Sequence, residues 1–221
     1  MVEYVNYEED KQVGPKLYHL GRYNFSSTEI FHLSVALIMI TITLMAFNWS
    51  NVGTYGLWNF ILLNFFTIGL GFLLHEMGHK LVAQHYGFIS EFRADFIMLA
   101  FAFALALFSP IIFLAPGAVM ILGRLSRKQN GIISVAGPVV NLILGLVFVA
   151  LALIFQPSIN TIFGYTLWLG IWVNGFLGVF NMLPFWVLDG KKVLEWSKVA
   201  YFGVLLALIF LLVASWNHWF I

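Results

Sequence analysis

The chain has 221 residues, of which 61% are hydrophobic and only 10% are charged, and its net charge is +1. A composition this apolar excludes an ordinary soluble domain, and the small net charge gives no support for nucleic-acid binding. The absence of cysteine excludes disulfides and thiol chemistry. These features together are typical of a polytopic membrane protein.

Long apolar runs predict transmembrane helices, each of which needs about 20 residues to cross a bilayer. In chain order, the predicted spans are 30–49, 57–74, 132–155, 162–183 and 199–216, with the second helix continuing to about His85. We expect residues 1–29 to be a polar N-terminal segment without a signal peptide. Residues 30–221 are expected to form a single transmembrane domain with its core at 57–190.

The apolar stretch 96–122 is harder to place because Pro110 and Pro116 interrupt it. Two crossings require about 40 residues, so the stretch either crosses once or enters the membrane and returns to the same side. If it returns, the basic residues all lie on one side, and the uncharged loops 48–56 and 156–161 lie on the other. Basic residues accumulate on the cytoplasmic side, so this distribution favours a re-entrant segment. The sequence therefore predicts an all-α polytopic membrane protein with five to six transmembrane helices and a re-entrant segment between the second and third full spans.

The motif HEMGH near the cytosolic end of the second span contains His75, Glu76 and His79. Helical residues four apart lie on one face, so both imidazoles reach one zinc ion while the carboxylate deprotonates a zinc-bound water. Ionisable groups are costly in a membrane and mark function by default. The alternative interpretation is a packed polar cluster without a metal.

Such a site needs a third protein ligand. His85 has the spacing of the H-E-x-x-H-x-x-G-x-x-H proteases, but Val82 stands where that motif has glycine. Without that break the helix carries His85 away from the metal face. We therefore interpret His85 as the end of the helix, with Gly87 as its cap.

A better candidate lies downstream in NMLPFWVLDGKK, residues 181–192. Pro184 disrupts the preceding helix, and Asp189 followed by glycine predicts a turn from which the carboxylate points inward. An ordinary cytosolic loop is the alternative, and Glu91 and Asp95 also remain open as ligands.

Three motifs, taken in order, resemble the site-2 protease family of intramembrane zinc metalloproteases. They are HEMGH at 75–79, SVAGPVVNLILG at 134–145 and N-x-x-P-x-x-x-L-D-G at 181–190. The resemblance covers roughly residues 57–190. Family members often have a second proline after N-x-x-P, where this chain has Phe-Trp-Val, which affects the shape of the loop more than the ligand.

The resemblance implies one zinc ion held by His75, His79 and Asp189, with Glu76 as the general base. It also implies that Asn181 helps to hold the substrate carbonyl, and that a re-entrant segment follows the first motif.

Two further asparagines, Asn141 and Asn174, are predicted to bind substrate. For Asn141, satisfying nearby backbone groups is an equally good interpretation.

The sequence thus predicts an intramembrane zinc endopeptidase in the cell membrane, with its active site near the cytosolic side. Its partners are expected to be the lipid bilayer and the transmembrane helices of other proteins, and not nucleic acid. A prenyl-protein protease is one alternative, but it takes its third ligand from a later Glu, and no intramembrane Glu follows Glu76. A non-hydrolytic metal-binding protein or transporter is the other.

The topology can be tested by cysteine labelling, because the chain has no cysteine of its own. Cysteines at Ser126 and Lys192 are expected to react with an impermeant maleimide from the cytosolic side, and a cysteine at Val52 from the opposite side. Labelling of Ser126 and Lys192 from opposite sides would contradict the re-entrant segment.

Overall fold

The computed structural model describes residues 15–47, 49–108, 117–185 and 187–217. Residues 1–14 of the predicted N-terminal segment, and both prolines of the stretch 96–122, lie outside these residues. The described part contains nine α-helices, four β-strands and a π-helical turn at Phe65–Gly69. The helices are α1 (Ser27–Phe47), α2 (Ser50–Tyr55), α3 (Leu57–Asn64), α4 (Leu70–His85), α5 (Phe96–Phe108), α6 (Arg127–Phe155), α7 (Ile162–Asn181), α8 (Asp189–Trp196) and α9 (Lys198–Trp216). The strands are β1 (Leu17–Leu20), β2 (Tyr23–Ser26), β3 (Ile89–Ala94) and β4 (Gly117–Leu122).

Five helices are long and apolar enough to cross a membrane. They are Ser27–Phe47, Leu57–His85, Arg127–Phe155, Ile162–Asn181 and Lys198–Trp216. The second of them consists of α3, the π-helical turn and α4, which follow one another without a break. This confirms a mostly helical polytopic membrane protein, with spans close to those predicted from hydropathy.

The second span ends where the sequence predicted. Gly87 has a φ of +82°, its N–H donates to the Gln84 carbonyl (2.9 Å), and the Phe88 N–H donates to the Ala83 carbonyl (3.1 Å). These two bonds form a Schellman cap, which uses glycine because a left-handed residue follows the helix. His85 is therefore the last residue of α4.

The stretch 96–122 contains the helix α5 and the strand β4 rather than helix alone. β4 pairs with β3 in antiparallel fashion, with Gly117 opposite Ala94 and Leu122 opposite Ile89. The chain thus leaves β3, passes through α5 and comes back beside the strand it left. Strands were not expected, because a short apolar run such as GAVMIL does not distinguish a strand from a buried helix. The prediction that the stretch is re-entrant in a bilayer stays a prediction.

Helix α6 organises the functional part of the fold by packing against α4, α7 and α8. Glycines on α4 permit these close approaches, as membrane helices commonly require. A Cβ at Gly78 would lie 3.0 Å from the Ala136 carbonyl of α6, and a Cβ at Gly71 would lie 3.1 Å from Asn174 of α7. Helix α4 is therefore held tightly against two neighbours that carry asparagine side chains.

Candidate metal centre

Three side chains converge where α4 meets the first residue of α8. The Asp189 Oδ2 atom lies 3.4 Å from Nε2 of His75 and 3.1 Å from Nε2 of His79. The two Nε2 atoms are 3.1 Å apart, and all three side chains are buried. Ligand atoms of a tetrahedral zinc ion, at bonds near 2.1 Å, are about 3.4 Å apart. The triangle thus has the size that a tetrahedral metal ion requires, and it is the only His, Cys, Asp and Glu group of this kind among the described residues.

The outer nitrogens of both imidazoles are held by hydrogen bonds to α6. His79 Nδ1 lies 2.8 Å from the Ile133 carbonyl, and His75 Nδ1 lies 2.6 Å from Oδ1 of Asn141. Both oxygens can only accept, so both Nδ1 atoms carry the proton. The unprotonated Nε2 atoms then point at the centre, which is the tautomer that a metal ligand needs.

Asn141 is held in this orientation by a network behind His75. Its amide nitrogen donates to the Gly71 carbonyl (3.1 Å) and to Oδ1 of Asn174 (3.0 Å), so its own oxygen faces His75. Asn174 in turn donates to the Gly170 carbonyl (2.8 Å), and both asparagines are fully buried. The structure places Asn141 and Asn174 outside the lining of the cavity described below, and their predicted contact with substrate stays a prediction. The hydrogen bonds of the two asparagines favour a role in orienting His75.

Asp189 reaches the histidines because the chain folds back sharply after α7. A Cβ at Gly190 would lie 2.0 Å from the Met182 carbonyl, so only glycine permits this close approach. Burial raises the pKa of the Asp189 carboxyl, but the His79 and His75 imidazoles beside it, when protonated, lower this pKa below its usual value overall. A cation between the three groups favours the carboxylate in the same way. The Lys192 Nζ lies 3.9 Å from Oδ1 of Asp189, the carboxylate oxygen that does not contact the imidazoles.

The three side chains open onto a cavity of about 460 Å³. Glu76 and Asn181 line this cavity, as do Lys192 and residues 117–119 of β4. Glu76 makes no hydrogen bond to any other residue that the structure describes, so its carboxylate faces the cavity. Asn181 uses one N–H on the Leu177 carbonyl (3.0 Å) of its own helix. The structure therefore brings five of the predicted site residues to one cavity.

The other candidate ligands lie elsewhere. The His85 ring contacts Tyr86 at the end of α4. Glu91 forms an ion pair with Arg93. Asp95 caps α5 by accepting from the N–H groups of Ile97 (3.1 Å) and Met98 (3.0 Å).

Gly137 is a site residue to which sequence reasoning assigned no role. A Cβ at this position would lie 2.5 Å from Nε2 of His79 and 2.6 Å from Nε2 of His75. The helix α6 therefore passes directly beside the ligand atoms, where only a hydrogen atom fits. Gly137 belongs to the motif SVAGPVVNLILG, but the sequence does not distinguish a glycine beside metal ligands from one that serves ordinary helix packing.

Comparison with known proteins identifies the family of the chain. The model of peptidase family M50 matches residues 63–163. The chain is 38% identical over 191 residues to "Putative zinc metalloprotease MJ0611" of Methanocaldococcus jannaschii, which covers 85% of this chain and 94% of that protein. It is 29% identical over 132 residues to "Zinc metalloprotease MJ0392" of the same organism, covering 59% of this chain and 33% of that longer protein. No solved structure matches the chain.

The chain belongs to peptidase family M50, the site-2 protease family. It is an integral membrane metalloprotease, which confirms the resemblance and the enzyme class inferred from the three motifs.

Gly137→Ala is expected to lower metal affinity by about tenfold or more, because the new methyl group displaces both imidazoles. The purified variant should contain less bound metal by mass spectrometry after dialysis against a weak chelator. Gly203→Ala is the control, because a Cβ at Gly203 meets nothing within 4 Å. Equal metal content in the two variants would contradict this view of Gly137.

Substitution of His85 and Asp189 separates the two candidate third ligands. His85→Ala should leave metal content and proteolysis largely intact, whereas Asp189→Ala should lose most of both. Asp189→Asn should retain some metal, because its amide oxygen still coordinates but carries no charge to offset that of the ion. Loss of metal in His85→Ala but not in Asp189→Ala would make His85 the ligand.

Proposed function

We propose that the protein is an intramembrane endopeptidase with one zinc ion bound by His75, His79 and Asp189. The observation that carries this proposal is the triangle of ligand atoms, whose sides of 3.1–3.4 Å fit a tetrahedral ion and whose two imidazoles present unprotonated nitrogens. Two imidazoles and one carboxylate are the ligand set of many zinc hydrolases, and the relatives are named as zinc metalloproteases.

Glu76 is proposed as the general base. When bound, the zinc ion polarises the scissile carbonyl and lowers the pKa of a water at the site. Glu76 takes a proton from the attacking water and passes it to the leaving amine. Its position next to His75, its exposure to the cavity and its lack of a hydrogen bond to another described residue support this role.

Asn181 is proposed to donate to the carbonyl oxygen as negative charge develops there. One of its two amide hydrogens is used on the Leu177 carbonyl, which orients the side chain and leaves the second hydrogen for substrate. A donor fixed in advance stabilises the transition state without reorganising.

The proposed substrates are transmembrane segments of other membrane proteins, because such segments reach a site in the membrane. A helical segment has its carbonyls in internal hydrogen bonds, so it must unwind before cleavage. The proposed receiver of the unwound segment is β4, whose residues 117–119 line the cavity. An extended peptide added beside β4 gains main-chain hydrogen bonds at the site.

The stretch 96–122 is proposed to be re-entrant, and the site to open towards the cytosol of a cell-membrane protein. The pairing of Gly117 with Ala94 supports this proposal because the chain returns to the strand it left. The one-sided basic residues support it independently. Water then enters from the cytosolic side.

Glu76→Gln is expected to keep zinc and to lower cleavage of a transmembrane reporter by at least about a hundredfold, because an amide cannot accept the proton. Zinc content and reporter cleavage are measured on the same purified sample. Glu195→Gln, which changes an exposed carboxylate on α8, is the control and should cleave normally. Turnover retained in Glu76→Gln would exclude the proposed mechanism.

A further inference from the structure

The outer edge of β3, the edge away from β4, is closed by side chains. The Ser90 carbonyl accepts from Nζ of Lys80 (3.0 Å) and from Nε2 of Gln84 (3.2 Å). The Phe92 N–H donates to Oε1 of Glu29 (2.8 Å), and the Ala94 N–H donates to Nδ1 of His32 (3.0 Å). Strand edges of this kind normally pair with another strand or with water. Here α1 and α4 take the place of that strand.

An ion pair between Lys80 and Glu29 lies at the centre of this contact. The Lys80 Nζ is 2.6 Å from Oε2 of Glu29, and neither side chain has any exposed surface. A buried ion pair is often no more stabilising than apolar side chains of the same size, so stability alone does not account for it. This pair supplies what apolar side chains lack, namely a donor for the Ser90 carbonyl and an acceptor for the Phe92 N–H.

The opposite edge of the two-stranded sheet is open. Val119 is paired with Phe92, and Gly117 with Ala94, so their backbone groups point away from β3 in an antiparallel ladder. Within the described ranges, no residue hydrogen-bonds to this outer edge of β4. It faces the cavity that contains the metal ligands. The sheet therefore accepts a new strand on β4 only.

Lys80 connects this sheet directly to the metal site, because it is the residue after His79 on α4. Glu29 and His32 of α1 fix the position of β3 along α4, and β3 fixes β4 through their register. A displacement of β3 along its own direction would carry the open edge of β4 past the ligand atoms. The distance from the proposed metal site to each backbone group of β4 thus depends on the acceptors that hold β3.

We infer that Glu29 and His32, whose side chains accept from the N–H groups of β3, are positioning residues that determine which peptide bond of the substrate is cut. Lys80 balances the buried charge of Glu29. This inference rests on the proposed function, in which β4 receives the substrate as an added strand. The residues touch no substrate. They act by fixing the strand that does.

Two double variants test the inference without leaving a buried charge. Glu29→Gln with Lys80→Met keeps an oxygen that accepts from the Phe92 N–H, whereas Glu29→Leu with Lys80→Met has no acceptor. Both replace the ion pair by neutral side chains of similar size. The full-length proteins are compared on one single-pass transmembrane reporter, with zinc content, KM, kcat and the cleaved bond recorded.

Both double variants are expected to bind zinc like the parent. The Gln variant should cut at the parental bond with a similar KM. The Leu variant should cut at additional bonds two residues away, which is the slip that keeps the faces of a strand, and its KM should rise about fivefold through loss of one positioning hydrogen bond. A merely structural role would change the yield of zinc-loaded protein but not the bond that is cut.

If the Leu variant cuts only at the parental bond and with the parental KM, the inference is overturned and the proposed function is unaffected. Absence of cleavage by the zinc-loaded parent would overturn the proposed function, and the inference with it. If the Leu variant does not bind zinc, substitutions of the half-buried His32 test the inference instead. His32→Asn keeps an acceptor for the Ala94 N–H and should cut at the parental bond, whereas His32→Phe has no acceptor and should cut at additional bonds. Identical cleavage by these two variants would overturn the inference.

Discussion

The proposed metal centre depends on two hydrogen bonds that α6 accepts from the imidazoles of α4. The Ile133 carbonyl and Asn141 hold the Nδ1 protons of His79 and His75, so that both Nε2 atoms face Asp189. A rotation of either ring would turn a protonated nitrogen towards the ion. The contact between α4 and α6 therefore determines the chemistry of the site as well as its packing.

The close contact between α4 and α6 explains why glycines lie around the site. The lack of a side chain at Gly137 leaves space for the two imidazoles, and at Gly78 for the backbone of α6. At Gly71 it leaves space for Asn174, which accepts a hydrogen bond from Asn141. In a membrane there is little hydrophobic drive to bring helices together, so close packing and buried hydrogen bonds have to do so. The same residues that allow packing thus also determine the orientation of the ligands.

Local patterns in the sequence predicted much of this site. The spacing of His75 and His79, and the cap at Gly87 that removes His85 from consideration, follow from the geometry of a single helix. The convergence of Asp189 on the histidines was expected from the family resemblance, and the structure brings the three together. The pair β3–β4 and the buried pair of Glu29 and Lys80 were not predicted. Their contacts join residues far apart in sequence, and periodicity carries no information about such partners.

The position of Asp189 has a consequence for how the molecule is held together. Between His79 and Asp189 the chain passes through α5, α6 and α7, and a metal ion bound to both residues closes this long loop. In a protein without cysteine, an ion bound in the proposed site would thus act as a covalent cross-link does, by restricting the unfolded chain. The fold and the ligand set then stabilise each other, so that the free energy of unfolding rises with the concentration of free metal.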